Sequence, residues 1–151
     1  MSSEEGRVVV RGAASGFVQE IVAAGQHRLA ADEPVAVGGT DTGPTPYDLL
    51  LAALGSCTSM TLGIYARRKV WPLESVTVRL SHSRIHAEDC ANCETQEGML
   101  DRIDVVIELT GALTEDQRKR LLEIAQRCPV HRTLQSEIEI RSRLEDVVRI
   151  R

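Results

Sequence analysis

One hundred and fifty-one residues is the size of one ordinary domain, long enough to bury roughly 70% of its unfolded surface without staples. Hydrophobic residues at 42% and charged residues at 26% make a globular balance and exclude wholesale disorder or a fibrous repeat. Only four Phe, Tyr or Trp residues are present, Phe17, Tyr47, Tyr65 and Trp71, and the formal net charge is -4, which argues against a base-stacking or phosphate-tracking surface and hence against nucleic acid.

The first residues, Met1-Ser2-Ser3-Glu4-Glu5, lack a basic region followed by an apolar run. No secretory signal is therefore expected, and the expected compartment is the reducing cytoplasm, with residues 1–6 as a flexible N-terminus. Short extended segments over residues 7–11, 17–22 and about 26–31, punctuated by Gly12, Gly16 and Gly25, predict a small antiparallel meander. A loop rich in Gly and Thr over residues 38–44 then delivers the chain to a strong helix start: Thr45 as N-cap, Pro46 at the first position and Asp48 at the third.

The helix predicted from Pro46 to about Lys69 contains eighteen residues, 49–66, without a charge, long enough by count to be weighed as a membrane span. Six of the eighteen are Gly, Ser or Thr, so a central helix wrapped by sheet or by a second subunit is preferred, and no membrane is expected. One domain has little material to surround a helix ~36 Å long. An intimate homodimer would supply the rest.

Past Trp71-Pro72 the period becomes two, with Val76, Val78 and Leu80 on one face of a predicted strand. A second strand is expected over residues 103–109. Thr114 and Gln117 form a capping box that opens a helix striped by Leu121, Leu122, Ile124, Ala125 and Cys128, and Pro129 stops it. A short helix with Cys128 as cap and Pro129 at its first position is expected over residues 130–135, then a final strand over 137–144. The order predicts an α+β domain over residues 7–144 with antiparallel sheet, and a tail over 145–151.

Four cysteines are the chemically loaded part of this composition. A thiol of ordinary pKa, about 8.5, is only a few per cent ionised near neutrality, so a nucleophilic cysteine needs a cation or a helix N-terminus beside it. Cys57 lies too deep in its helix for the dipole to help; Arg28 or His27 of the meander are the candidate cations. The sulfur of Cys128, just before Pro129, is predicted at a helix start, where free N–H groups favour an anion. For both residues a packed, inert thiol is the competing reading. Cys90 and Cys93 form a lone Cys-x-x-Cys after a strand that carries His82 and His86 on one face, and these four could hold a metal. Solvated loop residues or an occasional disulfide account for the pair equally well.

Two blocks, Gly43-Pro44-Thr45-Pro46-Tyr47-Asp48-Leu49-Leu50-Leu51-Ala52-Ala53-Leu54-Gly55-Ser56-Cys57-Thr58 and Cys128-Pro129-Val130-His131-Arg132-Thr133-Leu134, resemble the OsmC/Ohr proteins, which reduce organic hydroperoxides through a thiol. The likeness spans about residues 16–144 and is greatest to the branch with a Cys-x-x-Cys insert. It implies an α+β interwoven homodimer whose long central helices are wrapped by strands of both chains. It also implies a peroxidatic Cys57, oxidised to a sulfenic acid and resolved by Cys128, with no bound cofactor and an external dithiol as reductant. Arg28 is the nearest match to the activating arginine, with Asp48 where many members have Glu as its orienting acid. Two further readings compete with the peroxidase: a metal-binding or redox-sensing protein built on Cys90, Cys93, His82 and His86, and a non-catalytic dimer that binds a small apolar ligand.

Overall fold

The computed structural model describes residues 7–146. The expected N-terminal segment 1–6 and most of the expected tail lie outside the described residues. Three short strands, β1 (Val8–Gly12), β2 (Gln19–Ala23) and β3 (His27–Ala31), form an antiparallel sheet in sequence order. The turn between β2 and β3 uses Ala24 and Gly25, both at positive φ.

Helix α1 (Pro46–Lys69) begins as its sequence demands. The Thr45 hydroxyl accepts from the Asp48 N–H at 3.1 Å, and the Asp48 carboxylate accepts from the Thr45 N–H at 3.0 Å. Two orphan donors are thereby satisfied. Arg67, Arg68 and Lys69 in its last turn complement the negative end of the helix dipole. The helix is long and apolar enough to cross a membrane by length and composition alone; here it is the central helix of the domain.

Strands β4 (Ser75–His86) and β5 (Met99–Thr110) make a long antiparallel hairpin in unbroken register from Ser75 opposite Thr110 to His86 opposite Met99. β4 obeys period two as far as Ser83, with Val76, Val78, Leu80 and His82 turned inward. Helix α1 lies across β4, and Gly55 makes the approach close: a Cβ there would stand 2.7 Å from a Leu80 methyl. Helix α2 (Glu115–Ala125) opens on the Thr114–Gln117 capping box, and α3 (Pro129–Gln135) follows with Cys128 as N-cap. Leu62 of α1 and Leu121, Ile124 and Ala125 of α2 form the buried centre, walled by Tyr65, Trp71, Val76 and Ile107.

The connection from β5 to α2 depends on Gly111, at φ +126°, where a Cβ would run into the Pro72 carbonyl. Arg118 clamps the same turn by donating to the Leu109 and Gly111 carbonyls at 3.1 and 3.3 Å. Gly111→Ala is expected to cost about 1–3 kcal/mol, since both the backbone conformation and the space are lost. A urea midpoint lowered at unchanged slope would show it; an unchanged midpoint would contradict it.

One expected element is corrected. Residues 137–144 alternate as a strand would, yet no strand forms there among the described residues, and Ile138, Ile140 and Leu144 are exposed. Alternation specifies which face of a strand is apolar, but a strand exists only with a ladder partner, and the chain pairs none of its own with this segment.

Candidate functional site

The side of α1 that faces its own chain is one stripe, Leu54, Gly55, Thr58, Leu62 and Ala66, the spacing of a single helical face. Thr58 is the polar member. Its hydroxyl donates to the Leu54 carbonyl at 2.8 Å and lies 3.7 Å from the Cys128 sulfur. Because the hydroxyl has one proton and that proton is committed to Leu54, its oxygen faces the sulfur as an acceptor for the thiol hydrogen.

Cys128 is fully buried. As N-cap of α3 its sulfur also accepts from the His131 N–H at 3.3 Å, one of the free donors at a helix start. The expected position of this cysteine is thus the observed one, and the sulfur is seated against the turn of α1 that bears Cys57. Cys57 itself is free and half-buried, one residue before Thr58.

Two cavities of about 210 Å³ each flank this region and share Ile103, Val105 and His131 in their walls; Leu54 lines one and Thr58 the other. A larger cavity of about 440 Å³ lies along Met60, Ile64 and Trp71 and touches neither cysteine.

Arg28 and Asp48 are not joined within the chain. Arg28 bonds Glu20 at 2.7 Å, because Arg28 stands opposite Val22 in the β2–β3 ladder and Glu20 is its diagonal neighbour on the same face. Both side chains of this pair are more than half exposed, 70% and 56%, so the bond is weak and readily exchanged. Asp48 is occupied by the Thr45 cap.

The four-residue metal set is corrected as well. Cys90 and Cys93 are joined as a disulfide, which leaves no thiolate to bind a metal. The His82 ring stacks on Tyr47 at 4.4 Å between centroids, and its Nε2 lies 2.8 Å from the Asp101 carboxylate. His86 lines a separate recess with Glu88 and Glu97. Among the described residues, no three His, Cys, Asp or Glu side chains converge as a metal site would require. The Tyr47–His82 stack instead fastens the start of α1 to β4.

Asp32 went unmarked in the sequence and organises the loop that leads into α1. It is buried, and its carboxylate accepts five hydrogen bonds: from the Glu33 N–H at 2.7 Å, the Thr40 N–H and hydroxyl at 3.2 and 2.6 Å, and the Thr42 N–H and hydroxyl at 3.0 and 2.8 Å. The Thr40 hydroxyl first, then the Thr42 N–H, hold this carboxyl far below the usual carboxylate range, against the opposing effect of burial. Gly39 allows the loop to fold this tightly, since a Cβ there would stand 2.9 Å from the Asp32 carboxylate and collide with the Glu33 carbonyl.

A family model described as OsmC-like protein matches residues 39–143. No curated protein matches the sequence. Among solved structures, the chain resembles an OsmC-like protein from Mycoplasma pneumoniae, with TM-score 0.66 and 20% identity over 89% of each chain. It also resembles an organic hydroperoxide resistance protein OsmC from Legionella pneumophila, at TM-score 0.62 and 19% identity over 89% of this chain and 92% of that one. An organic hydroperoxide resistance protein from Elizabethkingia anophelis gives TM-score 0.63 at 18% identity, over 87% and 89%. At such identities the likeness is one of fold.

Proposed function

Because the chain belongs to the family of OsmC-like proteins, we propose that it is a homodimeric thiol peroxidase that reduces organic hydroperoxides, with Cys57 as the peroxidatic residue and Cys128 as the resolving one. The observation that carries this reading is the seat of Cys128: a buried sulfur at a helix N-terminus, against the α1 turn that presents Cys57. Two of the similar structures are organic hydroperoxide resistance proteins by name.

The Cys57 thiolate attacks the distal peroxide oxygen, the O–O bond breaks, and the alcohol leaves with a proton while the sulfur becomes a sulfenic acid. The Cys128 thiol then displaces water from that sulfenic acid to form a disulfide, and an external dithiol takes the disulfide back to two thiols. Arg28 is the proposed activating cation and Asp48 its orienting acid; the exposed Glu20 partner of Arg28 is weak enough to be given up for them.

The dimer in this reading is supported by what one chain leaves bare. Only one stripe of α1 is covered, while Met60 and Ile64 on its other side are 66% and 44% exposed. Val8, Val10 and Leu29 of the small sheet and Ile138 and Ile140 beyond α3 are exposed too. A second copy that covered α1 with its sheet and paired residues 137–144 would bury these surfaces together.

Peptide mapping after one equivalent of an alkyl hydroperoxide tests the chemistry. A linked Cys57–Cys128 peptide pair is the expected product. A protein that retains both thiols while the peroxide persists would sink the peroxidase and leave a ligand-binding dimer as the better reading.

A further inference from the structure

A second pair of sulfurs is left unused by that reaction. The Cys90–Cys93 disulfide sits in residues 87–98, the loop that closes the β4–β5 hairpin. It contributes little to the fold, because the loop is already shut beneath it: His86 pairs with Met99, and the Ala87 N–H donates to the Gly98 carbonyl at 2.8 Å. The stabilisation from a cross-link grows with the logarithm of the loop it closes, so this one, at a separation of three residues, stands at the small end of the range. Neither cysteine belongs to the buried core. Both are half-buried beside the exposed Ala91, Asn92 and Glu94, so an incoming thiolate can reach the bond.

The charge of the loop is one-sided. Glu88, Asp89, Glu94 and Glu97 lie within these twelve residues, and no Lys or Arg does. All four lie within four residues of one cysteine or the other, and charges so placed act on an approaching ion most strongly at low salt, since the Debye length is about 10 Å at 0.1 M and longer below it. An anionic thiol approaching the bond is repelled, and a cationic one is drawn in.

We propose that Cys90–Cys93 is a second redox site, a surface thiol–disulfide exchange pair that accepts two electrons from neutral or cationic thiol donors and discriminates against anionic ones. A donor thiolate attacks one sulfur of the pair, the S–S bond breaks, and the other protein sulfur leaves as a thiolate that takes up a proton. The donor's second thiolate, or a second molecule of a monothiol, then attacks the mixed disulfide. That releases the second cysteine, which is also protonated, and leaves the donor as its own disulfide. The pair gains two electrons and two protons, and the donor loses them.

The test uses the full chain with dithiothreitol, cationic cysteamine and anionic glutathione at neutral pH. Newly formed thiols are trapped with iodoacetamide, the peptide bearing Cys90 and Cys93 is quantified by mass, and each rate is normalised to that donor's rate on a small neutral disulfide. Cysteamine is expected to outpace glutathione about tenfold at ~20 mM salt and only about twofold at ~500 mM. The quadruple variant Glu88→Gln, Asp89→Asn, Glu94→Gln, Glu97→Gln is expected to lose the difference at low salt. The double variant Cys90→Ser, Cys93→Ser is expected to stay folded and to melt no more than about 8 °C below the wild type. Equal normalised rates at low salt, a bond that dithiothreitol cannot reduce in the folded protein, or a double variant that loses its fold would each overturn the proposal. The same rates in Cys57→Ser keep this result separate from the fate of the peroxidase reading.

Discussion

Cys57→Ser is expected to bring hydroperoxide consumption down to the rate of buffer and dithiol alone, whereas Cys128→Ser is expected to keep the first turnover and lose those that follow. The two variants differ because only the Cys57 sulfur takes the peroxide oxygen in the proposed sequence; Cys128 acts after the O–O bond has broken. Both substitutions preserve the fold on the geometry described. Serine is a smaller, polar replacement at the half-buried Cys57, and it is itself a preferred N-cap, so α3 keeps its first turn when Cys128 is changed. In Cys128→Ser the unresolved sulfenic acid should accumulate, react with dimedone, and pass to sulfinic acid in excess peroxide, with steady-state turnover reduced at least about tenfold. Wild-type turnover in Cys128→Ser would remove the resolving role, and residual turnover in Cys57→Ser would place the chemistry elsewhere.

How much of this arrangement could be read beforehand depended on whether its physics was local. The bounds of α1 follow from Thr45, Pro46 and Asp48, three adjacent residues whose hydrogen bonds close on themselves. Cys128 as the cap of α3 follows in the same way from Pro129. Arg28 shows the opposite case. Its partner is decided by the β2–β3 register, which places Glu20 on its diagonal, and a register is set by the turn at Ala24–Gly25 rather than by either charged residue. Residues 137–144 had the alternation of a strand but lacked a partner within the chain, so periodicity overstated what one copy can build. His82 and His86 do share a face by parity, as expected, but Tyr47 comes from α1, 35 positions upstream of His82, and claims the ring of His82. Thr58 beside Cys128 is a contact over a separation of 70 residues. No short-range pattern marks it. The one available signal was its spacing of four from Leu54 and Leu62 on the buried stripe.

Asp32 carries the second large expected effect, on stability and its dependence on pH. Its five hydrogen bonds close residues 32–42 into a compact loop, and the Asp32 N–H reaches on to the Pro44 carbonyl at 3.1 Å, one residue before the cap of α1. The carboxylate therefore ties the small sheet, through β3, to the start of the helix that bears Cys57. The Asp32 carboxyl has a folded-state pKa held below the unfolded value of about 3.8, so the unfolded chain binds the proton more readily. The stability it contributes is then fully present above about pH 5, and it is lost as pH falls through 4 toward the folded-state value. Asp32→Asn removes the charge and turns an amide donor toward groups that are themselves donors, Thr40 and Thr42 among them. It is expected to lower Tm by roughly 10 °C at neutral pH, with the gap from wild type narrowing as pH falls below about 4. Thr40→Val removes one hydroxyl and keeps the carboxylate, so a smaller loss with the pH dependence retained is expected from it. Melting curves between about pH 2 and pH 7 decide the matter: parallel curves for wild type and Asp32→Asn would show that the carboxylate's charge is not what holds the loop closed.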